Sequence, residues 1–273
     1  MSPLTSPQLR AAAQNFWDGA AGESLTDKIT LSEADKSKHC REAANTLRAA
    51  VESSDSAIVT ATLINRLSKV KEGKEVRGGW ATPAQDSLRA SVLFAGAGLD
   101  RALKRLAEDA LPLLVQFDDE VNKKFTAFAH SAITDGESVD PKQLVALLLG
   151  RGDSPRDTLV KSWIYTLGSA SAQSAERVAE IAGSLGVTDR EVRKRMTPTA
   201  GKKSKLEKAF SARNEISHEL DVTDPEAETR KRLERIRRAR SATSVREHVV
   251  EMLDLTQLII NDVAGRLEAN GHS

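Results

Sequence analysis

The stretch Arg213-Asn214-Glu215-Ile216-Ser217-His218 holds the residue types and spacing best suited to a reaction in this 273-residue chain. On an α-helix, Arg213 and His218 stand about 140° apart around the axis and about 7.5 Å apart along it. Asn214 and His218 are one turn apart and share a face. Leu206 and Phe210, earlier in the same segment, would fix that helix on a core. An imidazole moves protons near neutral pH, and a guanidinium forks two phosphate oxygens. These are the groups required when RNA is cleaved by its own 2′-hydroxyl, a reaction in which charge develops on a phosphorane and no metal is needed. The same spacing also suits a solvated arginine beside a histidine favoured by the dipole at a helix C-terminus. The surroundings decide between these two readings.

A second charged feature follows closely. Arg230, Lys231, Arg232, Arg235, Arg237, Arg238 and Arg240 crowd one stretch, with Glu234 opposing them. Such a run is either a solvated face or a local phosphate-binding patch, and Arg230, Arg232, Arg235, Arg237 and Arg238 are the candidate RNA contacts. The patch would have to act locally, because the whole chain carries a formal charge of only +1. His248 reads as a surface histidine and Trp163 as core, and 4% aromatic residues do not make a base-stacking platform. Neither cysteine nor histidine is arranged for a metal. The one cysteine, Cys40, adjoins His39, and no HxxxH or CxxC pair occurs. No metal and no cofactor is expected. A lone thiol and a start without a basic-then-apolar segment point to the cytoplasm. The apolar runs 111–115 and 144–149 are too short for a bilayer, so no membrane is expected.

The elements that must position these residues read as helices throughout. Strand alternation is missing, while apolar residues recur at three- and four-residue steps. Helices are predicted over 33–52 (with Ser32 as N-cap), 55–70 and 84–110, the last carrying Leu88, Val92, Ala95, Leu99 and Leu106 as one stripe. Gly96 and Gly98 inside it call for a close helix contact, since mid-helix glycine costs about 1 kcal/mol against alanine. The glycine-bearing segment 72–83 reads as a linker. Pro112 and the acidic 118–120 open another piece anchored by Phe125 and Phe128, and a short helix follows over 141–149. Helix is predicted over 156–185, with a kink or close crossing at the small residues 168–175, and Gly186 ends it. Further helices are predicted over 203–220, over the charged 226–240 and over 245–267. The last carries an apolar stripe so wide that it suggests a buried helix or one shared with a second subunit.

Arg213-Asn214 with His218 resembles the Arg-Asn-x-x-x-His motif of the HEPN superfamily, and more narrowly the RiboL-PSP type of HEPN domain. The resemblance covers about residues 84–268. It runs through SLRASVLFAGAGLD (87–100), DSPRDTLVKSW (153–163), SLGVTDREV (184–192) and LEKAFSARNEISHELD (206–221). It implies an all-α, HEPN-like up-and-down helical bundle over 84–270; the N-terminal helical extension before it, 1–80, of unknown role, has no counterpart in the resemblance. It also implies a metal-independent endoribonuclease, a toxin or anti-phage defence effector, working as a homodimer with two such motifs in one cleft. Arg213 would bind the scissile phosphate, His218 would act as acid or base, and Asn214 would orient them. Arg89 and Asp100 match an arginine and an acidic residue of the family's first helix and would support the site. RNA and a cognate antitoxin or regulatory protein are the implied partners. Leu220 stands where some HEPN toxins have a tyrosine, so nucleotidyl modification at that place is not implied. The alternative is a non-catalytic HEPN module that binds RNA, a nucleotide or a protein.

Overall fold

A computed structural model describes residues 25, 29–31, 34, 37–72, 80–134, 154–199, 201–223 and 236–272. Among them the protein is all-α, with two isolated bridges and no strand. The helices are α1 (Arg41–Glu72), α2 (Thr82–Phe117), α3 (Asp119–Thr134), α4 (Pro155–Ser169), α5 (Ala175–Ser184), α6 (Arg190–Met196), α7 (Lys205–Glu219) and α8 (Ala242–Ala269). The predicted helix over 141–149 and Arg230, Arg232 and Arg235 lie outside the described residues.

Several boundaries differ from the sequence reading, each for a local reason. A turn over 38–40 precedes α1, so the helix starts at Arg41 and not at 33. It then runs without a break through Ser53-Ser54-Asp55-Ser56, where two helices were predicted. Polar residues of this kind interrupt a helix when their side chains turn back on their own backbone. Here Ser54 Oγ donates to the Ser91 carbonyl and Asp55 accepts the Leu25 N–H, so both side chains are engaged elsewhere. Helix α2 continues past Pro112 to Phe117. An interior proline costs about 3 kcal/mol. Leu111, Leu114 and Val115, at most 1% exposed, offset that at about 1.5–3 kcal/mol each. Asp118 then separates α2 from α3 and caps α3 by accepting the Val121 N–H.

The small-residue segment 168–175 contains a full break, residues 170–174, between α4 and α5. Ser154 and Ser174 cap the two helices. Arg177 donates to the Thr166 and Leu167 carbonyls at the end of α4. The charged helix predicted over 226–240 does not extend through 237–240. There Arg237 forms an isolated bridge with Val222, with Thr223 N–H on the Ile236 carbonyl and Arg238 N–H on the Asp221 carbonyl. Helix α7 opens on a capping box, in which Ser204 Oγ accepts the Glu207 N–H and Glu207 accepts the Ser204 N–H. The wide apolar stripe of α8 is buried in the chain's own core. Val245, Val249, Met252, Leu253, Leu255, Ile259, Ile260 and Val263 are all 0% exposed, so a dimer draws no support from that stripe.

The chain forms two compact units, Met1–Thr30, Ala49–Ala97 and Lys208–Asp254 in one, and Leu31–Arg48, Gly98–Glu207 and Leu255–Ser273 in the other. In the first unit, Val51 and Ile58 of α1, Leu88 and Val92 of α2, Phe210 and Ile216 of α7 and Val249 of α8 are buried. Residues 49–72 of the expected N-terminal extension thus share a unit with the residues around 213–218. In the second unit, Trp163 lies against Phe125 and Phe128 with ring centroids 5.8 and 6.0 Å away, which accounts for it as core. Cys40 is buried there too, and burial pushes its thiol up to about 11, which keeps it an unreactive thiol.

Gly186 ends α5 as predicted. Its φ is +76°, Val187 N–H donates to the Ala182 carbonyl and Gly186 N–H to the Gly183 carbonyl. A Cβ at this position would lie 2.7 Å from Val121 Cγ2 and from Arg266 Nη1. Gly186→Ala therefore meets a backbone penalty of about 1–2 kcal/mol and an overpacking penalty of about 1–3 kcal/mol. The expected result is a loss of about 2 kcal/mol or more, read as a lower urea midpoint at unchanged m-value. Wild-type stability in this variant would refute the assignment of the turn.

Candidate active site

The residues 213–218 occupy the second half of α7, which the first unit holds from Lys208 onward. The buried Ala209, Phe210, Ala212 and Ile216 seat the helix. Its other faces are left for Asn214, Glu215 and His218, the first two half-buried and the last exposed. Arg213 is half-buried. Its Nη1 donates to Asn214 Oδ1 at 3.1 Å and to Ser217 Oγ at 3.2 Å, so the guanidinium is drawn toward the turn that carries His218. The close contact predicted at Gly96 is here. A Cβ on Gly96 would stand 3.3 Å from Arg213 Cγ and 3.9 Å from Met252 Sδ, so the glycine opens room on α2 for the arginine's stem. No described hydrogen bond or ion pair engages the His218 ring.

Arg89 is buried in the first unit. Only 3% exposed, it donates from Nε to Asp221 Oδ2 at 2.8 Å, from Nη1 to Asp86 Oδ1 at 2.9 Å and from Nη2 to the Arg238 carbonyl at 3.0 Å. Asp100 belongs to the second unit. It accepts the Ala172 N–H at 2.6 Å in the break between α4 and α5, and Lys104 Nζ lies 3.2 Å from it. Arg237 is tied to Asp86 at 3.0 Å and to the Leu220 carbonyl at 2.8 Å. Arg238 pairs with Glu215 at 2.8 Å while its side chain stays half exposed. Of the two described candidates for RNA contact, Arg238 is therefore the one presented to solvent.

Three participants were not singled out from the sequence. Ser217, one turn beyond Arg213, was legible from spacing alone. Asp221 and Arg240 were not, because their meaning lies in contacts across the chain. Arg240, 9% exposed, grips both oxygens of Asp221, with Nε on Oδ2 at 3.1 Å and Nη2 on Oδ1 at 2.5 Å, and also reaches Glu215 at 2.8 Å. Burial alone would raise the Asp221 pKa. The hydrogen bonds from Arg240 and then Arg89 outweigh it and hold the carboxyl below the ordinary carboxylate range. Burial would likewise lower the Arg240 pKa, yet its bonds to Asp221 and Glu215 raise it. His248 on α8 is half-buried. Desolvation first and the Arg240 charge second lower its pKa, against the pull of Glu247 and Glu215, which favours a neutral ring at pH 7.

A groove of about 540 Å³ in this unit lies elsewhere, lined by Glu52, Ser56, Thr60, Ser87 and Phe94 among others, and holds none of the predicted site residues. Among the described residues no group of three or more His, Cys, Asp or Glu is placed to hold a metal ion, and no helix is long and apolar enough to cross a membrane. Compared with protein-family models, curated proteins and solved structures, the chain matches none.

Proposed function

We propose that this protein is a metal-independent endoribonuclease of the HEPN type. The reading rests on the sequence resemblance, and one observation supports it above the rest. His218 is exposed and no described bond engages its ring, while Arg213, on the same stretch of helix, donates to Asn214 Oδ1 and Ser217 Oγ and so leans toward the same turn. In the proposed reaction the ribose 2′-oxygen forms a bond to the adjacent phosphorus and the bond from phosphorus to the 5′-oxygen breaks. One proton leaves the 2′-hydroxyl and one is delivered to the departing 5′-oxygen. His218 moves one of these protons as base or acid. Arg213 carries the charge that gathers on the phosphorane oxygens, where a guanidinium fork fits two of them. Asn214 holds Arg213. The complementary proton-transfer group comes from a second copy in the homodimer that the resemblance implies. A role as toxin or defence effector, with a cognate antitoxin or regulator, belongs to the same proposal.

The test is cleavage of a panel of cellular RNAs with EDTA in excess. The expected products carry 2′,3′-cyclic phosphate and 5′-hydroxyl ends, and the expected rate is the same with and without chelator. No cleavage of any RNA by the wild-type chain would end the proposal. A binding module is the second reading. Of its ligands, RNA, a nucleotide or a protein, the last is favoured by the carboxylates that already neutralise nearby cations, Asp86 on Arg237 and Glu215 on Arg238, and so weaken the pull on phosphate.

A further inference from the structure

Immediately after His218 the chain does something costly. Leu220 and Asp221 both take left-handed backbone angles, φ 51° and 60°, in succession. Aspartate tolerates that region; leucine is disfavoured there. Strain of this kind persists only where surrounding contacts over-determine the conformation. The contacts converge on Asp221. Its side chain is 0% exposed, and both carboxylate oxygens are taken by Arg89 from α2 and Arg240 from the segment before α8. Its N–H reaches back to the Glu215 carbonyl at 3.0 Å and its carbonyl accepts the Arg238 N–H at 2.7 Å. Arg240 is itself fixed by a two-way bond between its backbone and the Gln85 side chain, 2.9 and 2.8 Å. It also holds Glu215, while Arg237 holds the Leu220 carbonyl, so bonds fall on both sides of His218 and no described one falls on its ring.

We infer that Asp221 with Arg89 and Arg240 forms a buried clamp whose task is to hold the last turn of α7, and so to fix His218 relative to Arg213. Asp221 is on this view a positioning residue; it touches no substrate. The activity consequence rests on the endoribonuclease reading, but the structural consequence does not, and the two are measured separately.

Amide hydrogen exchange is followed in the full-length wild type, in Asp221→Asn and in the double variant Leu220→Gly with Asp221→Asn, beside RNA cleavage. In Asp221→Asn the amides of 216–222 are expected to lose at least about ten-fold more protection than those of 249–253 in α8, which follow only the global loss of stability. Cleavage should lose kcat with little change in KM, as expected when a group is misplaced and binding is retained. Glycine at 220 removes the backbone strain, so the double variant should regain much of the lost protection and kcat. Unchanged exchange at 216–222 in Asp221→Asn would overturn the clamp, and so would an equal rise at 216–222 and 249–253, or a double variant no better than the single one. Should Asp221→Asn not fold, Arg240→Lys, which keeps the charge and removes the fork, carries the same comparison. A wild type that cuts no RNA but shows the expected exchange pattern removes the nuclease reading and leaves the clamp standing.

Discussion

Replacing His218 by alanine is expected to slow RNA cleavage by about 10²–10⁴-fold, the range that a positioned proton-transfer group contributes. The ring is exposed and no described bond engages it, so its removal should leave the thermal midpoint near that of the wild type. Arg213→Ala is expected to cost about 10²–10³-fold, as loss of a fixed group at the developing charge does elsewhere. Arg213→Lys should recover little of it, because an ammonium cannot fork two phosphate oxygens or donate in the same plane to Asn214 and Ser217. The double variant His218→Ala with Arg213→Ala should be no slower than about the worse single one, since groups that act as a unit are not additive. Single-turnover rates on one defined RNA decide the matter. Variants that cut at the wild-type rate would remove both residues from the mechanism.

The second large effect concerns stability. Asp221→Ala leaves Arg89 and Arg240, 3% and 9% exposed, with buried charge and no common carboxylate. Breaking a buried pair by removing one partner costs about 3–5 kcal/mol, and the lower end is expected here because Asp86 and Glu215 still face Arg89 and Arg240. Arg89→Ala should cost less, since Asp221 keeps both of its bonds from Arg240. The pH dependence has a fixed sign. Asp221 is held below the ordinary carboxylate range, so its contribution is fully present above its unfolded value, about 3.9, and is lost as pH falls through the lower folded value. Urea unfolding should therefore show a wide gap between wild type and Asp221→Ala at pH 7 that narrows below about pH 4. A gap that is small at neutral pH, or one that widens on acidification, would contradict the assignment of the cluster.

The α-helices were legible because their signals are local. The three- and four-residue recurrence of Leu88, Val92, Ala95 and Leu99 describes α2 with no knowledge of what it packs against, and all four are buried. Gly186 announced the end of α5 in the same way. Where boundaries were misjudged, a distant contact had overridden a local preference. Ser54 did not interrupt α1 because its hydroxyl bonds to Ser91, and Pro112 did not end α2 because Leu111, Leu114 and Val115 are buried around it. Arg237 and Arg240 looked like part of a basic face. One is tied to Asp86 and the other to Asp221 and Glu215, and carboxylates so far along the chain cannot be assigned to them by inspection.

By itself the sequence determined the helical character of the chain and the grouping of Arg213, Asn214, Ser217 and His218 on neighbouring turns. Helical periodicity and the reach of a side chain over one turn depend only on nearby residues. Tertiary structure alone decided which charges are presented and which are consumed. It left His218 in solvent, put Arg89, Asp221 and Arg240 inside, and sent Asp100 to the break between α4 and α5. Ion pairing depends on distance in space and on burial, and neither is written in the order of the residues.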